Sequence, residues 1–472
     1  MRGAPSPGAR VAPLVVMLLW GGCSARQAIE QADVGTSTSS RPGSPGFDIE
    51  TAEVQGDTVS AIDLYLSVPY PSLIFEKSGG GFRSRCEITA RLTDHADQLA
   101  GEVAWAETTS VNSYEATQSS DPRIFRKRIA APPGSYRILV TIEDLVDGRK
   151  AAKAQNVRIF DPADAGPGLG RIALMARMRD GTRLPQISFF VPARAESSAC
   201  TIGAYNFPGE SNSRIDVRVL RFGVDTSVAV APFYFSVISS SLSRGQIDFD
   251  TPDTAFAATR IFRPARREES LEFRFPPLRQ GLYRFEFTAT TRTRGGSDTM
   301  MSAGRYYSVQ GPGFPRPVTF GELIESAVYI ATQSEMKVLR SATTPEEQRK
   351  RFEDFWLSLA GDPQKASAVI KKYYGRVEEA NRLFTIAREG WRGDRGMLYC
   401  ILGPPVEISN RLEVQTWYYD LSGNSNENTF VFKRILRSRA GFTVEDYQLY
   451  RQAGYEQFWN RILSRWRSGY PP

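Results

Sequence analysis

Hydrophobic and polar residues alternate with a period of two between residues 47 and 163, and this pattern predicts β-strands. The alternation is clearest over residues 62–68, 86–92 and 136–142, where every second side chain is apolar. A strand with this pattern has one face in a hydrophobic core and the other in water. Because turns rich in glycine and proline separate these short runs, the segment predicts a β-sandwich of immunoglobulin or fibronectin type.

The same alternation returns between residues 184 and 312, with clear runs over 215–219 and 271–275. Both segments contain a pair of prolines that precedes a glycine and, two residues after the glycine, a tyrosine: Tyr136 in the first and Tyr283 in the second. In each segment a strand, a glycine-containing turn and another strand follow. This shared signature predicts a second sandwich built like the first, and therefore a duplicated domain.

From residue 313 onward the hydrophobic period lengthens to that of an α-helix. Residues 323–340 are predicted to be helical, and Thr344 with Glu347 forms a capping box that starts the next helix. The apolar residues of 352–359 recur at helical spacing and give that helix one buried face. A long helix with an apolar stripe over residues 370–387 follows.

Strands are predicted after these helices. The apolar run Met397–Leu402 is interpreted as a strand, followed by strands over 414–420 and 429–436 and a final helix over 456–467. Residues 313–472 therefore form an α+β domain. The predicted fold class is multidomain: two tandem all-β immunoglobulin/fibronectin-like sandwiches followed by this α+β C-terminal domain.

The first 22 residues have the features of an export signal. Arg2 and Arg10 lie beside an apolar stretch, Val11–Trp20, that is too short to cross a membrane as a helix, which takes about 20 residues. The following Gly21-Gly22-Cys23 resembles the lipobox of bacterial lipoproteins, in which the cysteine becomes the lipid-bearing N-terminus. We expect lipidation of Cys23, with an ordinary secretory signal as the alternative. Residues 23–46 are rich in Ser, Thr and Gly and predict a flexible tether.

Composition excludes several kinds of function. The 472 residues include one histidine and four cysteines, too few for a histidine-based zinc site or a disulfide-stapled scaffold. The formal net charge is +7, and removal of the two arginines of residues 1–22 lowers it to +5. No run of Lys or Arg indicates nucleic-acid binding. We therefore predict no metal, no cofactor and no nucleic-acid partner.

The histidine and cysteines carry no catalytic pattern. His95 lies in a polar loop, and no motif for a serine or cysteine nucleophile accompanies it. Cys86 and Cys400 fall on apolar stretches and Cys200 falls in the second β segment, so we expect these three thiols to be unpaired. No catalytic residue is assigned.

Several motifs of the C-terminal region occur in an order that resembles one known family. The blocks are Phe352–Trp356, Arg376–Phe384, Gly390-Trp391 followed by Asp394-Arg395-Gly396, and Leu402–Pro405. From about Val318 to Tyr450 they resemble the GWxTD domain of bacterial envelope proteins, which often have a signal sequence and strand-rich regions before it. The family's threonine before the aspartate is Gly393 here.

The resemblance implies a place in the cell envelope and no catalytic mechanism. It assigns a structural or binding role to nine motif positions, which are Arg376, Asn381, Gly390, Trp391, Asp394, Arg395, Gly396, Gly403 and Pro405. Asp394 is interpreted as a structural carboxylate paired with Arg392 or Arg395, the alternative being an acid, base or ligand in a groove. Trp391 is interpreted as a core anchor, the alternative being a stacking platform for a sugar or peptide.

Two functions are consistent with these patterns. The first is a lipid-anchored, exported envelope protein that acts as a non-enzymatic scaffold, held at the membrane by its lipid and bound to other envelope proteins. An outer-membrane location is expected. The second is a cell-wall protein that binds or cleaves glycan at the Gly390–Gly396 turn, with Glu389 and Asp394 as paired carboxylates beside Trp391.

Overall fold

The protein is described from a computed structural model. The described residues are 46–55, 60–119, 122–159, 167–177, 183–187, 189–192, 198–209, 212–234, 246–265, 268–292, 298–311, 313–420, 429–440 and 442–472. The predicted signal peptide over residues 1–22, the lipidation site Cys23 and the tether up to residue 45 lie outside them. Among the described helices, none is long and apolar enough to cross a membrane.

The first β unit spans residues 46–159 and has two sheets around one core. Its elements are β1 Asp48–Gln55, β2 Ser60–Val68, β3 Glu76–Ser78, β4 Gly81–Thr93, β5 Leu99–Val111, α1 Tyr114–Thr117, β6 Arg123–Ala130, β7 Gly134–Asp144 and β8 Lys150–Ile159. One sheet has the order β1-β2-β6; in the other, β4 lies between β5 and β7, and β8 follows β7. Side chains of both sheets, such as Ile62 and Ile88, meet in one hydrophobic cluster.

The second β unit spans residues 168–310. Its strands are β9 Gly168–Leu169, β10 Ala173–Arg177, β11 Arg183–Pro185, β12 Phe190–Pro192, β13 Ser198–Tyr205, β14 Ser213–Val224, β15 Ile247–Phe262, β16 Glu268–Phe275, β17 Gly281–Arg292 and β18 Asp298–Gln310. The unit begins earlier than residue 184, because β10 lies between β11 and β13 in one of its sheets. That sheet and the sheet β12-β18-β17-β14-β15 share a second hydrophobic cluster.

The two β units repeat one strand order. In the first unit, the strands β5-β4-β7-β8 of one sheet face the sheet β1-β2-β6. In the second unit, β15-β14-β17-β18 take the place of the four strands and β10-β13-β16 take the place of the three. The matching strands follow each other in the same order along the chain. The two signature tyrosines also behave alike. The hydroxyl of Tyr136 donates to the carbonyl of Pro132, and that of Tyr283 donates to the carbonyl of Arg279, both over 2.8 Å and both four residues back along the chain.

The C-terminal region, residues 313–472, combines helices with one antiparallel sheet. The elements are α2 Phe320–Ser326, α3 Gln333–Arg340, α4 Pro345–Ala360, α5 Pro363–Phe384, α6 Asp394–Leu402, β19 Glu407–Asn410, β20 Val414–Tyr418, β21 Thr429–Arg439, β22 Phe442–Leu449 and α7 Tyr455–Arg467. The predicted capping box of Thr344 and Glu347 starts α4. Trp356 of α4, Trp417 of β20 and Trp466 of α7 are at most 1% exposed and lie in the same core cluster.

Two elements differ from their predictions. Residues 323–340 do not form one continuous helix, because a 3-10 turn over Ala327–Tyr329 separates α2 from α3. The second difference is one of type. Residues 397–402 belong to the helix α6 and do not form a strand. Every residue from Gly396 to Leu402 is buried, so an apolar run of this length has no exposed face from which a helical period could be read. The amide of Met397 donates to the carbonyl of Gly393 over 2.8 Å and closes the first turn of the helix.

The three cysteines of the described chain are free and buried, as expected: Cys86, Cys200 and Cys400. Burial raises the pKa of the Cys86 and Cys200 thiols to about 12, and it also raises the pKa of Cys400. The reactive form of a cysteine is the thiolate. These thiols therefore pack as small apolar side chains.

Candidate functional site

The segment Gly390–Gly396 contains a tight 3-10 turn over Gly390–Arg392, after the end of α5, and the first residues of α6. Two of its glycines are required by close backbone packing. A Cβ atom at Gly390 would lie 2.1 Å from the carbonyl oxygen of Ala380, and one at Gly396 would lie 2.0 Å from that of Gly390. A Cβ at Gly393 would meet nothing closer than 3.6 Å. The backbone packing therefore leaves no room for a side chain at Gly390 or Gly396, but it does at Gly393.

Trp391 is a core residue with 4% exposure. Its amide donates to Oδ1 of Asn381 over 3.3 Å, and its carbonyl accepts from the hydroxyl of Tyr329 over 2.8 Å. Nδ2 of Asn381 donates in turn to the carbonyl of Pro315 over 2.8 Å. The Arg392 guanidinium lies 4.4 Å from the centre of a Trp391 ring. Trp391 is thus held from several sides, and its ring offers no open face for stacking a sugar.

Asp394 pairs with an arginine that the sequence did not suggest. Its Oδ1 accepts from Nη2 of Arg451 over 2.6 Å, and its Oδ2 accepts from the amide of Leu449 over 2.8 Å. The expected partners, Arg392 and Arg395, make other contacts, so that interpretation of its pairing is wrong. The reason is geometric: Asp394 is the first residue of α6, and its side chain meets the end of β22, where Leu449 and Arg451 lie.

The two neighbouring arginines stack on aromatic rings. The Arg395 guanidinium lies 4.0 Å from the ring centre of Tyr447 and 4.9 Å from that of Phe384, and its burial lowers the pKa. Nε of Arg392 donates to the carboxylate of Glu389 over 2.7 Å. Burial alone would raise the pKa of Glu389, but the charge of Arg392 and the hydrogen bonds to this carboxylate lower it. Glu389 is therefore an ionised ion-pair partner, unsuited to donating a proton.

The remaining motif residues lie at the other end of α6. Nη1 of the buried Arg376 donates to the carbonyl of Ile401 over 2.9 Å, and Nη2 donates to the carbonyl of Pro472 over 2.8 Å. A cation at a helix C-terminus compensates the carbonyl dipoles there. Gly403 ends the helix with φ +85, a conformation that favours glycine. Pro405 follows it in the connection to β19.

The motif region binds a loop of the second β unit. Residues 225–234 follow β14, and we call them the docking segment. The buried Arg388 donates through Nη1 to the carbonyl of Ser227 over 2.7 Å. Arg392 accepts at its carbonyl from the amide of Ala229 over 2.8 Å, and Arg451 donates to the carbonyl of Val230 over 3.2 Å. The charged residues of the motif region thus join two parts of the chain.

An apolar contact continues this junction. Phe222 of β14 and Tyr306 of β18 pack in one cluster with Phe442 and Val444 of β22. The rings of Tyr306 and Phe442 are stacked with their centres 4.4 Å apart. Close by, Nε2 of Gln246 donates to the carboxylate of Asp446, whose pKa is raised by burial. Aromatic stacking and buried charge therefore hold the second β unit against the C-terminal sheet.

A cavity of about 20 Å³ adjoins the motif, lined among others by Arg388, Gly393, Asp394 and Asp446. A cavity needs about 10–15 Å³ to hold one water molecule, so this volume suits a water and not a sugar. Within the described ranges, no group of three or more His, Cys, Asp or Glu side chains could hold a metal ion. The site residues that the sequence missed are Arg388, Asp446 and Arg451, whose partners lie too far along the chain for any local pattern to reveal.

One family model matches the C-terminal region. Residues 296–468 match the family model described as the GWxTD domain, from the start of β18 to the end of α7. No curated protein matches the chain.

Two solved structures are similar over parts of the chain. Red sea bream transglutaminase is 8% identical with a TM-score of 0.16 and covers 56% of this chain. Dimeric latent PorU from Porphyromonas gingivalis is 13% identical with a TM-score of 0.22 and covers 57% of this chain. The chain spans 31% and 20% of their lengths, respectively. Similarity this low carries no argument about fold or function.

Proposed function

We propose that this chain, whose C-terminal region is a GWxTD domain, is a lipid-anchored protein of the bacterial cell envelope that acts as a non-enzymatic scaffold. In this proposal Cys23 carries the lipid, residues 23–46 form the tether, and the folded part binds other envelope proteins. The outer membrane is the proposed location. The observation that carries the proposal is that the charged groups of the GWxTD motif region are engaged in contacts within the chain.

Each of these groups has a structural partner. Asp394 is paired with Arg451, Glu389 with Arg392, and Arg388 with backbone carbonyls of the docking segment. Catalysis by a carboxylate needs a group that can reach a substrate and exchange a proton with it. Side chains that are neutralised and enclosed in this way stabilise a junction between domains, which is what a scaffold with a defined shape requires.

We further propose that both β units are sandwiches of immunoglobulin or fibronectin type. The support is their common strand order, in which three strands of one sheet and four strands of the other correspond between the two units. The hydrogen bonds of Tyr136 and Tyr283 to the carbonyl four residues earlier add to it, since a tyrosine corner of this kind is typical of such sandwiches. Tandem sandwiches would extend the GWxTD domain away from the anchored end.

The alternative, a glycan-binding or glycan-cleaving protein, has less support. It needs an open tryptophan ring and two accessible carboxylates about 5–10 Å apart. Trp391 is 4% exposed, and the adjoining cavity of about 20 Å³ is too small for a sugar ring. If the alternative holds, purified protein should co-sediment with insoluble cell-wall material; we expect it to stay in the supernatant.

The anchor is tested by fractionation of cells that produce Cys23→Ala. We expect the variant to move from the membrane fraction to the soluble exported fraction and to lose labelling by a fatty-acid analogue. The matched control is Ser24→Ala, one residue further along, which should remain in the membrane fraction. Cys23→Ala protein that stays membrane-bound would contradict the lipid anchor.

The scaffold role is tested by photo-crosslinking in cells. A photoreactive residue at Leu357 on α4, which is 41% exposed, should capture specific envelope proteins identifiable by mass spectrometry. The control position is Leu145 in the first β unit, which is 44% exposed and so equally accessible. The same set of proteins at both positions, or none at Leu357, would contradict a partner-binding role for the GWxTD domain.

A further inference from the structure

The strand β19 is an open edge of the C-terminal sheet. Its order is β19-β20-β21-β22, and β19 pairs only with β20 within the described residues. The amide of Arg411 donates to the carbonyl of Val414 over 2.8 Å, which turns the backbone groups of Arg411 and, by alternation, Ser409 toward β20. The amides and carbonyls of Ile408 and Asn410 therefore point away from the sheet, where another strand could pair with them.

Large apolar side chains flank this edge. Val406 is 75% exposed, Ile408 is 46% exposed and Leu412 is 83% exposed, the highest value among the large apolar side chains of the described chain. Only Ile408 lies within β19, whereas Val406 lies in a bend before the strand and Leu412 lies in the turn that joins β19 to β20. Exposed apolar side chains grouped at one sheet edge are typical of interaction sites.

Two opposite charges stand on the other face of the same strand segment. Glu407 and Arg411 are both exposed, and neither takes part in an ion pair with another described residue. They lie at equal distances on either side of Ser409 in the sequence. A second copy of the segment that runs antiparallel across Ser409 would therefore bring Glu407 of each copy opposite Arg411 of the other.

We propose that the β19 edge pairs with the β19 edge of a second copy of this chain, antiparallel, with the two-fold axis at Ser409. In this register Ile408 lies opposite Asn410, which are the residues with outward-pointing amides and carbonyls. Ile408, the exposed apolar residue of the strand itself, lies next to the axis in both copies. Hydrogen bonding and charge agree on this one register, and a two-fold contact between identical surfaces is the commonest kind of protein dimer.

The sequence of the segment favours a second copy over an unrelated extended peptide. Glu407 and Arg411 complement each other twice across the two-fold axis, and an unrelated peptide would match them only by coincidence. The strand is short, with four residues, so we expect a dimer that dissociates at low protein concentration. The proposed dimer uses the β19 edge and not the motif region, and it does not depend on the proposed scaffold function.

The register is tested by a disulfide at the axis. In an antiparallel pair, Cβ atoms of directly opposite residues lie about 4.5–5.5 Å apart, a spacing that small strand adjustments bring within disulfide reach. In a full-length Cys23→Ser background, Ser409→Cys should form a covalent dimer under mild oxidation. Glu413→Cys, which is exposed but lies in the turn between β19 and β20, should not. Equal crosslinking at both positions, or none at Ser409→Cys, would overturn the proposal.

Charge reversal tests the same contact without a covalent crosslink. Glu407→Arg faces Arg411 with a like charge twice in the dimer, so sedimentation equilibrium should show an association constant about tenfold lower. The double variant Glu407→Arg/Arg411→Glu restores both opposite-charge pairs and should recover the wild-type constant. Glu413→Arg is the control and should leave it unchanged. A wild-type protein that is monomeric at every concentration, or a double variant as weak as Glu407→Arg, would refute this register.

Discussion

Gly393 stands at the N-cap of α6, where the GWxTD family has a threonine. Its backbone has φ −82 and ψ 168, an extended conformation open to any residue, and no side chain caps the helix there. A Cβ atom would meet the carbonyl oxygen of Gly390 at 3.6 Å and Nη2 of Arg388 at 3.7 Å, which are ordinary contacts. The site therefore has space and geometry for the hydroxyl that this sequence lacks.

Gly393→Thr should stabilise the protein. A threonine hydroxyl at the N-cap accepts a hydrogen bond from the amide two or three residues later, and the loss of glycine reduces the entropy of the unfolded chain. The expected gain is about 0.5–1 kcal/mol in the free energy of unfolding, measured by urea denaturation. The control is Gly396→Ala in the same turn, which should destabilise strongly because its Cβ would lie 2.0 Å from a carbonyl oxygen. A destabilised Gly393→Thr would show that the hydroxyl has no place there.

In the same turn, the burial of one residue could be predicted from the sequence and the ion-pair partner of another could not. That Trp391 is buried follows from its size and apolar area. The partner of Asp394 does not follow, because Arg451 lies in a different element and only the packing of α6 against the end of β22 brings the two together. Local charge patterns favour neighbours such as Arg395, whose side chain instead stacks on Tyr447.

At the scale of elements, α3 and α7 are joined through one carboxylate. Glu335 completes the capping box of α3 with Thr332. It also accepts from both terminal nitrogens of Arg467 on α7, over 2.9 and 2.8 Å. The hydrogen bonds from Arg467, aided by those from Thr332, lower the pKa of Glu335 to about 2. The ionised form thus fastens the start of one helix to the end of another.

Glu335→Gln should therefore have an effect that depends on pH. The pKa of Glu335 is lowered on folding, so its stabilisation is present above its ordinary value of 4.5 and is lost as the pH falls toward about 2. The pair is about one-third exposed, so solvent screening limits the expected loss at pH 7 to about 1 kcal/mol. The measurement is the free energy of unfolding of the wild type and of Glu335→Gln between pH 7 and pH 3. The two values should converge as the pH falls. Glu322→Gln, in the similar capping box of α2, is the control, since Glu322 has no arginine partner among the described residues.

Among the helices, sequence patterns predicted α4 and α5 and failed at α6. Thr344, Pro345 and Glu347 form a start signal that acts locally, so it can be read without the tertiary structure. The run Met397–Leu402 is enclosed on all sides, and an apolar run of six residues is compatible with a buried strand or a buried helix. The packing of α5, α7 and the sheet around this run determines that it forms a helix and not a strand.

At the scale of the whole molecule, both junctions between units contain buried charge. The docking segment meets Arg388 and Arg451 at one junction. At the junction between the two β units, Glu50 of β1 is 1% exposed and accepts hydrogen bonds from Arg305 of β18. Its carboxylate also lies 3.0 Å from Nε of Arg171. Sequence patterns predicted separate domains but neither junction, because periodicity reports which face of an element is buried and not what covers it.

The ion pair of Glu50 and Arg305 should decide whether the two β units stay together. Arg305→Met removes the arginine that contacts both carboxylate oxygens of Glu50. Breaking a buried pair on one side leaves an uncompensated charge, which costs about 3–5 kcal/mol; Arg171 remains as a second partner, so we expect the lower end of that range. The loss should appear as an earlier unfolding transition and as a larger radius of gyration in small-angle scattering.

Two further variants distinguish the ion pair from a general loss of charge. Arg218→Met breaks the pair with Glu286 on the neighbouring strands, where the arginine side chain is 61% exposed, and should cost under about 1 kcal/mol. Glu50→Leu/Arg305→Met replaces both charges by apolar groups and should recover most of the stability, because the buried carboxylate is removed together with Arg305. Arg171 loses its carboxylate partner but is 32% exposed and keeps its hydrogen bond to Thr51. If Arg305→Met costs no more than Arg218→Met, or if the double variant is the less stable of the two, the junction is held by its other contacts and Glu50 does not control it.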